Sequence, residues 1–223
     1  MDRRPVLTRV VTLTERDREV LRTLTHKVRV LTPAQAARGW WGETSHAEEN
    51  ARDRLGSLRR AGFVDCRTVM THPELPVAAP VFRWRPGEDP PNLGAVAYRL
   101  RARWTSHPVA ISLVYATRKS LNLFGGYIAD RPPRRTEVAH DIHLSAVYLW
   151  HRANAPGDAD RWESEHELHA AGGGRNERLP DARIRDDRQG RGGGRIVEFG
   201  GAYPKAKLEE FHAEFSGGQY EIW

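Results

Sequence analysis

The sequence predicts an α+β fold in two parts, and three observations carry that expectation. Three helix starts marked by capping residues precede strand-like runs in the first third of the chain. A second helical pattern, opening at Thr136, is followed by three strand-like runs, a helix and a last strand. The charge also changes sign between the parts, with 24 Lys and Arg against 13 Asp and Glu over residues 1–136, but 11 against 16 over residues 137–223.

Thr14 with Asp17 three residues on has the spacing of a capping box, and Val20, Leu21, Leu24 and Val28 recur on one helical face after it. Thr32-Pro33-Ala34-Gln35 is a sharper start, with an N-cap hydroxyl, a proline at the first helical position and a reciprocal amide, so a short helix runs from Pro33 to near Gly39. Ser45 with Glu48 opens a third helix whose Ala47, Ala51, Leu55 and Leu58 form the inward stripe, stopped at Ala61-Gly62. Residues 63–70 and 77–84 then read as two strands joined by a turn containing Pro73 and Pro76, which makes a hairpin. Three helices and a hairpin give the order of a winged helix-turn-helix, expected over residues 1–85. In such a domain the third helix enters the major groove, and its outward residues here are His46, Asn50, Arg52, Arg54, Ser57, Arg59 and Arg60. Glu49 and Asp53 share that face and oppose phosphate, while arginine runs also serve simply to solvate a helix.

Residues 86–136 are read as a connecting region, with a helix over 93–104 and a strand over 108–115, closed by the extended basic run Arg131-Pro132-Pro133-Arg134-Arg135. From Thr136 to Arg152 the chain is amphipathic. Residues 161–170 and 178–186 read as strands, a Gly-rich turn at 189–194 leads to a strand at 195–199, residues 205–215 are helical, and 220–223 close as a strand. That αβββαβ order over residues 137–223 is the core order of the restriction-endonuclease-like fold.

The hairpin of this second part carries Leu179-Pro180-Asp181-Ala182 and Ile196-Val197-Glu198-Phe199-Gly200, which resemble the PD-(D/E)xK nuclease superfamily. Two carboxylates on neighbouring strands can share Mg²⁺ or Mn²⁺, and a lysine two residues after the second prepares the attacking water. Asp181 and Glu198 match the carboxylates, with Glu165 a further candidate ligand and Glu163 a weaker one. The lysine position is Gly200, so Lys205 or Lys207 on the next helix would have to reach back. His140 and His143, with His166 and His169, offer a competing zinc arrangement at i, i+3 spacing. His140 with Asp141 is also placed to bond into the sheet that carries Asp181.

Taken in order, Leu13-Thr14-Glu15-Arg16-Asp17, Leu31-Thr32-Pro33-Ala34-Gln35-Ala36-Ala37, Arg54-Leu55 through Phe63-Val64, His140-Asp141-Ile142, Leu179-Pro180-Asp181-Ala182 and the strand around Glu198 make the chain similar to the replication-relaxation family of bacterial mobile elements. The resemblance implies a winged-helix part that binds double-stranded DNA, joined to a degenerate nuclease-like part, acting in plasmid replication, mobilisation or regulation. That family tends to carry an acidic residue two positions after the glutamate, where this chain has Gly200. A homodimer and other replication or transfer proteins are the expected partners.

The composition narrows the classes. A lone Cys66 removes any disulfide framework and any multi-cysteine zinc site. A mean hydropathy of −0.65 and the lack of an uninterrupted apolar run argue against a membrane span, and Thr8 and Arg9 interrupt the early apolar residues, so a cytoplasmic protein is expected. Of the 35 basic residues 31 are arginine, a bias that a GC-rich coding sequence produces by itself, so basicity alone does not establish a nucleic-acid partner. Two other readings follow from the same residues: a Mg²⁺- or Mn²⁺-dependent endonuclease using Asp181 and Glu198, and a protein-protein interaction module.

Overall fold

The structure, a computed structural model, describes residues 11–42, 44–128, 131–173, 178–186 and 193–223. The first ten residues and most of the expected Gly-rich turn, residues 189–192, lie outside the described residues.

The fold is α+β. Helix α1 (Glu15–Arg22) is capped by Thr14 and Asp17 in a reciprocal box and continues into a π-helical turn, Thr23–Lys27. Helix α2 (Pro33–Trp40) opens on the same device, with Gln35 Oε1 accepting from Thr32 N at 2.9 Å and Thr32 Oγ1 accepting from Gln35 N at 3.0 Å. Helix α3 (Ala47–Arg60) starts one residue later than expected. Its N-cap is His46, with no side-chain cap bond, so Ser45 does not do the capping. Gly62 ends it with φ +79°, a left-handed turn that lets Phe63 N reach the Leu58 carbonyl at 3.0 Å.

The expected hairpin does not form. Strand β1 (Val64–Thr71) pairs antiparallel with β3 (Val109–Ala116), and β2 (Phe82–Trp84) is the edge strand of the other sheet. Leu31, between α1 and α2, makes a single antiparallel bridge to Val114 at the edge of this two-stranded sheet. The chain leaves this ribbon after Thr71 because Pro73, Pro76 and Pro80 interrupt the strand pattern. It returns only after β2 and helix α4 (Leu93–Ala102) have packed on the second sheet. Residues 86–136 therefore supply a core helix and a strand rather than a passive connection. The short helix α5 (Arg118–Phe124) follows β3.

Helix α6 (Val138–Asn154) and the short α7 (Pro156–Asp160) lead into β4 (Trp162–Ser164). The strand expected over 161–170 stops there, because Ser164 Oγ accepts from Glu167 N and caps helix α8 (Glu165–Ala170). Strands β5 (Ala182–Arg185) and β6 (Gly194–Glu198), helix α9 (Lys205–Phe215) and strand β7 (Tyr220–Ile222) complete the chain. The five-stranded sheet has the order β2-β7-β6-β5-β4, with β6 and β7 parallel and every other pair antiparallel.

Alternation along the strands divides the core between the two faces of this sheet. Val197, Phe199 and Trp223 join the α6 side and the helices α1 to α3 in one continuous apolar cluster. Tyr220, Ile222 and Ile196 face α4 and α9, against Leu100, Leu208 and Phe211. The two halves are also tied by polar bonds: Gln35 Nε2 donates to the Ile142 carbonyl at 2.7 Å and Ser145 Oγ to the Val30 carbonyl at 2.6 Å. Among the described residues no helix is long and apolar enough to cross a membrane.

Candidate functional site

The outward face of α3 is the first candidate. His46, Asn50, Arg52, Arg59 and Arg60 are exposed, while Ala47, Ala51, Leu55 and Leu58 are buried against α1 and α2. Local partners hold most of the charges. Arg52 pairs with Glu48, His46 Nδ1 lies 3.5 Å from Glu49, Arg59 Nε donates to Asp65 at 3.2 Å, and Arg60 Nη2 donates to Ser57 Oγ at 2.9 Å. These exposed pairs are weak and can be exchanged for phosphate.

Arg54 is different and corrects the sequence expectation. Its Nε donates to Asp17 Oδ1 at 2.8 Å, its Nη2 to Asp17 Oδ2, and the same nitrogen to the Thr12 carbonyl at 2.8 Å. Asp17 is 1% exposed and is also the capping residue of α1. Burial pushes its pKa up, but the hydrogen bonds from Arg54 and Thr14 outweigh this and hold the carboxyl below the ordinary range. Arg54 thus ties α3 to α1, with its guanidinium committed to Asp17 and the Thr12 carbonyl rather than held free on the outward face.

The second candidate lies where β5 and β6 begin and end. Asp181 and Glu198 come close, with Asp181 N donating to Glu198 Oε2 at 3.4 Å, but their carboxylates serve different partners. Ile196 packs against α4 and α9, so alternation puts Glu198 on that face, where Arg178 Nη2 donates to Oε1 at 3.1 Å and Tyr203 OH at 2.9 Å. Asp181 Oδ2 instead accepts from Phe199 N at 2.7 Å and pairs with His140 Nε2 at 2.9 Å. Burial, then the charge of Asp181, pushes Glu198 well above the usual carboxylate range. Burial opposes charge on His140 too, but Asp181 and the nearby Asp141 outweigh it and hold the imidazole protonated well above its ordinary value.

The donors do not fit the divalent ion that the nuclease resemblance implies. Glu198 is engaged by an arginine and a tyrosine, and Asp181 Oδ2 by a histidine and a backbone amide; Glu165, at the exposed start of α8, donates its N–H to the Asp181 carbonyl at 3.0 Å, and its carboxyl lines the same cleft as Asp181. Among the described residues no group of three or more His, Cys, Asp and Glu side chains is placed to hold a metal ion, the paired histidines included. Lys205, named as the displaced lysine, is 63% exposed and pairs with Glu209 at 3.0 Å on the same helix. Lys207 lies over the Tyr203 ring, 3.5 Å from its centroid.

The signature lysine position is physically closed. A Cβ on Gly200 would sit 2.7 Å from Ile222 Cγ2 and 2.8 Å from Leu100 Cδ1, so α4 fills the space that a side chain would need. Gly200→Ala is expected to cost about 2 kcal/mol by overpacking, read as a lowered melting temperature, and Gly200→Lys more. An unchanged melting temperature for both would contradict this packing.

Sequence reasoning missed the Glu198 partners Arg178 and Tyr203, and it missed the cleft of about 270 Å³ beside His140. Arg29 lines that cleft, bridging Glu137 at 2.6 Å and Asp141 at 3.6 Å. These ion pairs and the His140–Asp181 bond tie α6 to the sheet, while Arg29 Nε and Asp141 Oδ2 are buried without a hydrogen bond. Comparison of the chain with family models, curated proteins and solved structures found no match.

Proposed function

We propose that this chain is a duplex-DNA-binding protein, a winged helix-turn-helix presenting α3 to the major groove, joined to a restriction-endonuclease-like part that does not cut. The observation that carries the reading is the arrangement of the first unit: α1, the single bridge at Leu31, α2, α3, β1 and β3, with the outer face of α3 uncovered by the rest of the fold. The surplus of eleven positive charges over residues 1–136 supports a polyanion partner. Glu48, Glu49 and Asp53 keep α3 close to neutral, so docking rests on Asn50 and Ser57 at base edges, with His46, Arg52, Arg59 and Arg60 exchanging their local partners for phosphate.

The second part is proposed as a scaffold in which α6, β4, β5, β6, α9 and β7 keep the nuclease order with the short helices α7 and α8 inserted around β4, while its carboxylates are engaged by Arg178, Tyr203 and His140. With the resemblance in sequence order, this supports a role in the replication, mobilisation or regulation of a bacterial plasmid or mobile element, in the cytoplasm.

The test is fluorescence anisotropy on random duplex DNA. Arg59→Glu with Arg60→Glu is expected to weaken binding at least tenfold at fixed salt, while Asp181→Asn with Glu198→Gln leaves it unchanged. Absence of binding by the native chain at low salt would favour a protein-docking module. Plasmid nicking that needs Mg²⁺ or Mn²⁺ and is lost in the carboxylate double variant would make the protein a nuclease.

A further inference from the structure

The charges of α3 are sorted along its axis. Its first two turns carry Glu48, Glu49 and Asp53 against Arg52, whereas its last turn carries Arg59 and Arg60, both exposed. A helix C-terminus is by itself a poor seat for an anion, because its last carbonyls have no partner within the helix and form the negative end of the dipole. Here α5 removes that obstacle. Thr117 Oγ1 donates to the Gly62 carbonyl at 2.6 Å, Ser120 Oγ to the Phe63 carbonyl at 2.5 Å and Lys119 Nζ to the Ala61 carbonyl at 2.7 Å. The turn that ends α3 is thus covered by donors and a cation from the start of α5.

Lys119 has more to offer than this one bond. Its ammonium carries three N–H groups, of which the Ala61 carbonyl takes one. It lies over the Phe63 ring, 4.2 Å from the centroid, yet the residue is exposed. A lysine already held in place loses less side-chain freedom when it meets an anion than one that swings in solvent. Asp65 is the carboxylate on the β1 side of this turn, and it is occupied. Its Oδ1 accepts from Arg59 Nε at 3.2 Å and from Cys66 N at 2.7 Å, and its Oδ2 accepts from Tyr115 OH at 3.2 Å.

We propose that Lys119 and the last turn of α3 clamp one phosphate strand of duplex DNA, which crosses the protein at the junction of α3 and α5 rather than at the acidic start of α3. This inference rests on the reading of α3 as the DNA-facing helix. Lys119 meets a phosphate oxygen as a point charge, and Arg59 and Arg60 take the neighbouring phosphates. Such contacts fix the register of the duplex and carry no base sequence themselves.

The test is duplex binding by the full chain, followed by fluorescence anisotropy over a range of salt on two unrelated sequences. Lys119→Met keeps an apolar stem over Phe63 and removes the charge, Lys119→Arg keeps the charge, and Arg99→Met removes an exposed cation on α4. Lys119→Met is expected to weaken binding equally on both duplexes and to lower the magnitude of the salt slope by about 1, while Lys119→Arg and Arg99→Met retain the native slope. A lysine that only braces the junction lowers the melting temperature in Lys119→Met without moving the slope, which overturns the proposal. An equal change in Arg99→Met marks a diffuse charge effect and overturns it as well. A native chain whose binding shows no salt dependence fails the α3 reading and this inference with it, whereas a native slope shared by Lys119→Met overturns this inference alone.

Discussion

Replacing Arg54 by leucine is expected to lower the unfolding free energy by about 3 kcal/mol, because it leaves the carboxylate of Asp17 buried without a counter-charge. For a chain of this length that is a fall of about 10 °C in melting temperature. Asp17 caps α1 through Thr14 while accepting from α3, so the loss loosens the helix start and the seat of α3 together. The double variant Asp17→Asn, Arg54→Leu removes the charge as well as its partner and is expected to recover more than half of the loss. Equal losses in the single and double variants would show that packing, rather than an uncompensated charge, dominates. Measured well below either transition, the Arg54→Leu chain keeps its DNA affinity within about threefold, since the guanidinium faces inward. A tenfold loss would return Arg54 to the binding face.

The second large effect concerns acid. His143 is fully buried, stacks on Phe199 at 4.7 Å, donates from Nδ1 to the Ala139 carbonyl and accepts from Leu75 N at Nε2, 2.9 Å away. Because Nε2 accepts a bond, the ring must be neutral, and burial lowers it to about 4. Between its ordinary value and that figure the unfolded chain binds the proton and the folded chain does not, so stability falls as pH falls through this window. Going from pH 7 to pH 5 therefore costs about 2 kcal/mol through His143, and His151 acts in the same direction. His140 and Glu198 act oppositely. Each has a raised folded value, so the stability that each contributes is present at low pH and is lost as pH rises through its folded value. His143→Gln offers a carbonyl to Leu75 N and an amide to Ala139, and isolates the first effect. Urea unfolding at pH 7 and pH 5 should show the difference between the two pH values shrinking by about 2 kcal/mol in the variant. A difference equal to that of the native chain would mean that His143 is protonated in the fold.

What could be read from the sequence divides along the range of the interactions. The Thr14 and Thr32 boxes, the Gly62 stop and α9 were legible because a cap or an apolar stripe is decided within one or two turns. Ser164 with Glu167 also has the local spacing of a helix start, which is why the expected strand over 161–170 becomes three residues of strand and a helix. The pairing of the ribbon is nonlocal. Nothing in residues 63–84 says that β1 waits for Val109–Ala116, because its partner is chosen by Val30, Val138 and Ile142 behind it. At the candidate site, the Asp181–Glu198 proximity and the His140 bond follow from element order, whereas Arg178, Tyr203 and Leu100 come to it from other elements. Gly200 was legible as a departure from the nuclease pattern, but its cause, the packing of α4, was not.

In the proposed contact with DNA, α3 and its surroundings neutralise phosphates. That contact is tested most directly by the salt dependence of duplex binding, because each phosphate contact contributes about 0.9 to the slope of log affinity against log salt. The native chain is expected to bind random duplex with a negative slope, and Arg59→Glu with Arg60→Glu to reduce its magnitude by about 2. Affinity that does not change with salt, or a slope identical in the two proteins, would contradict the account.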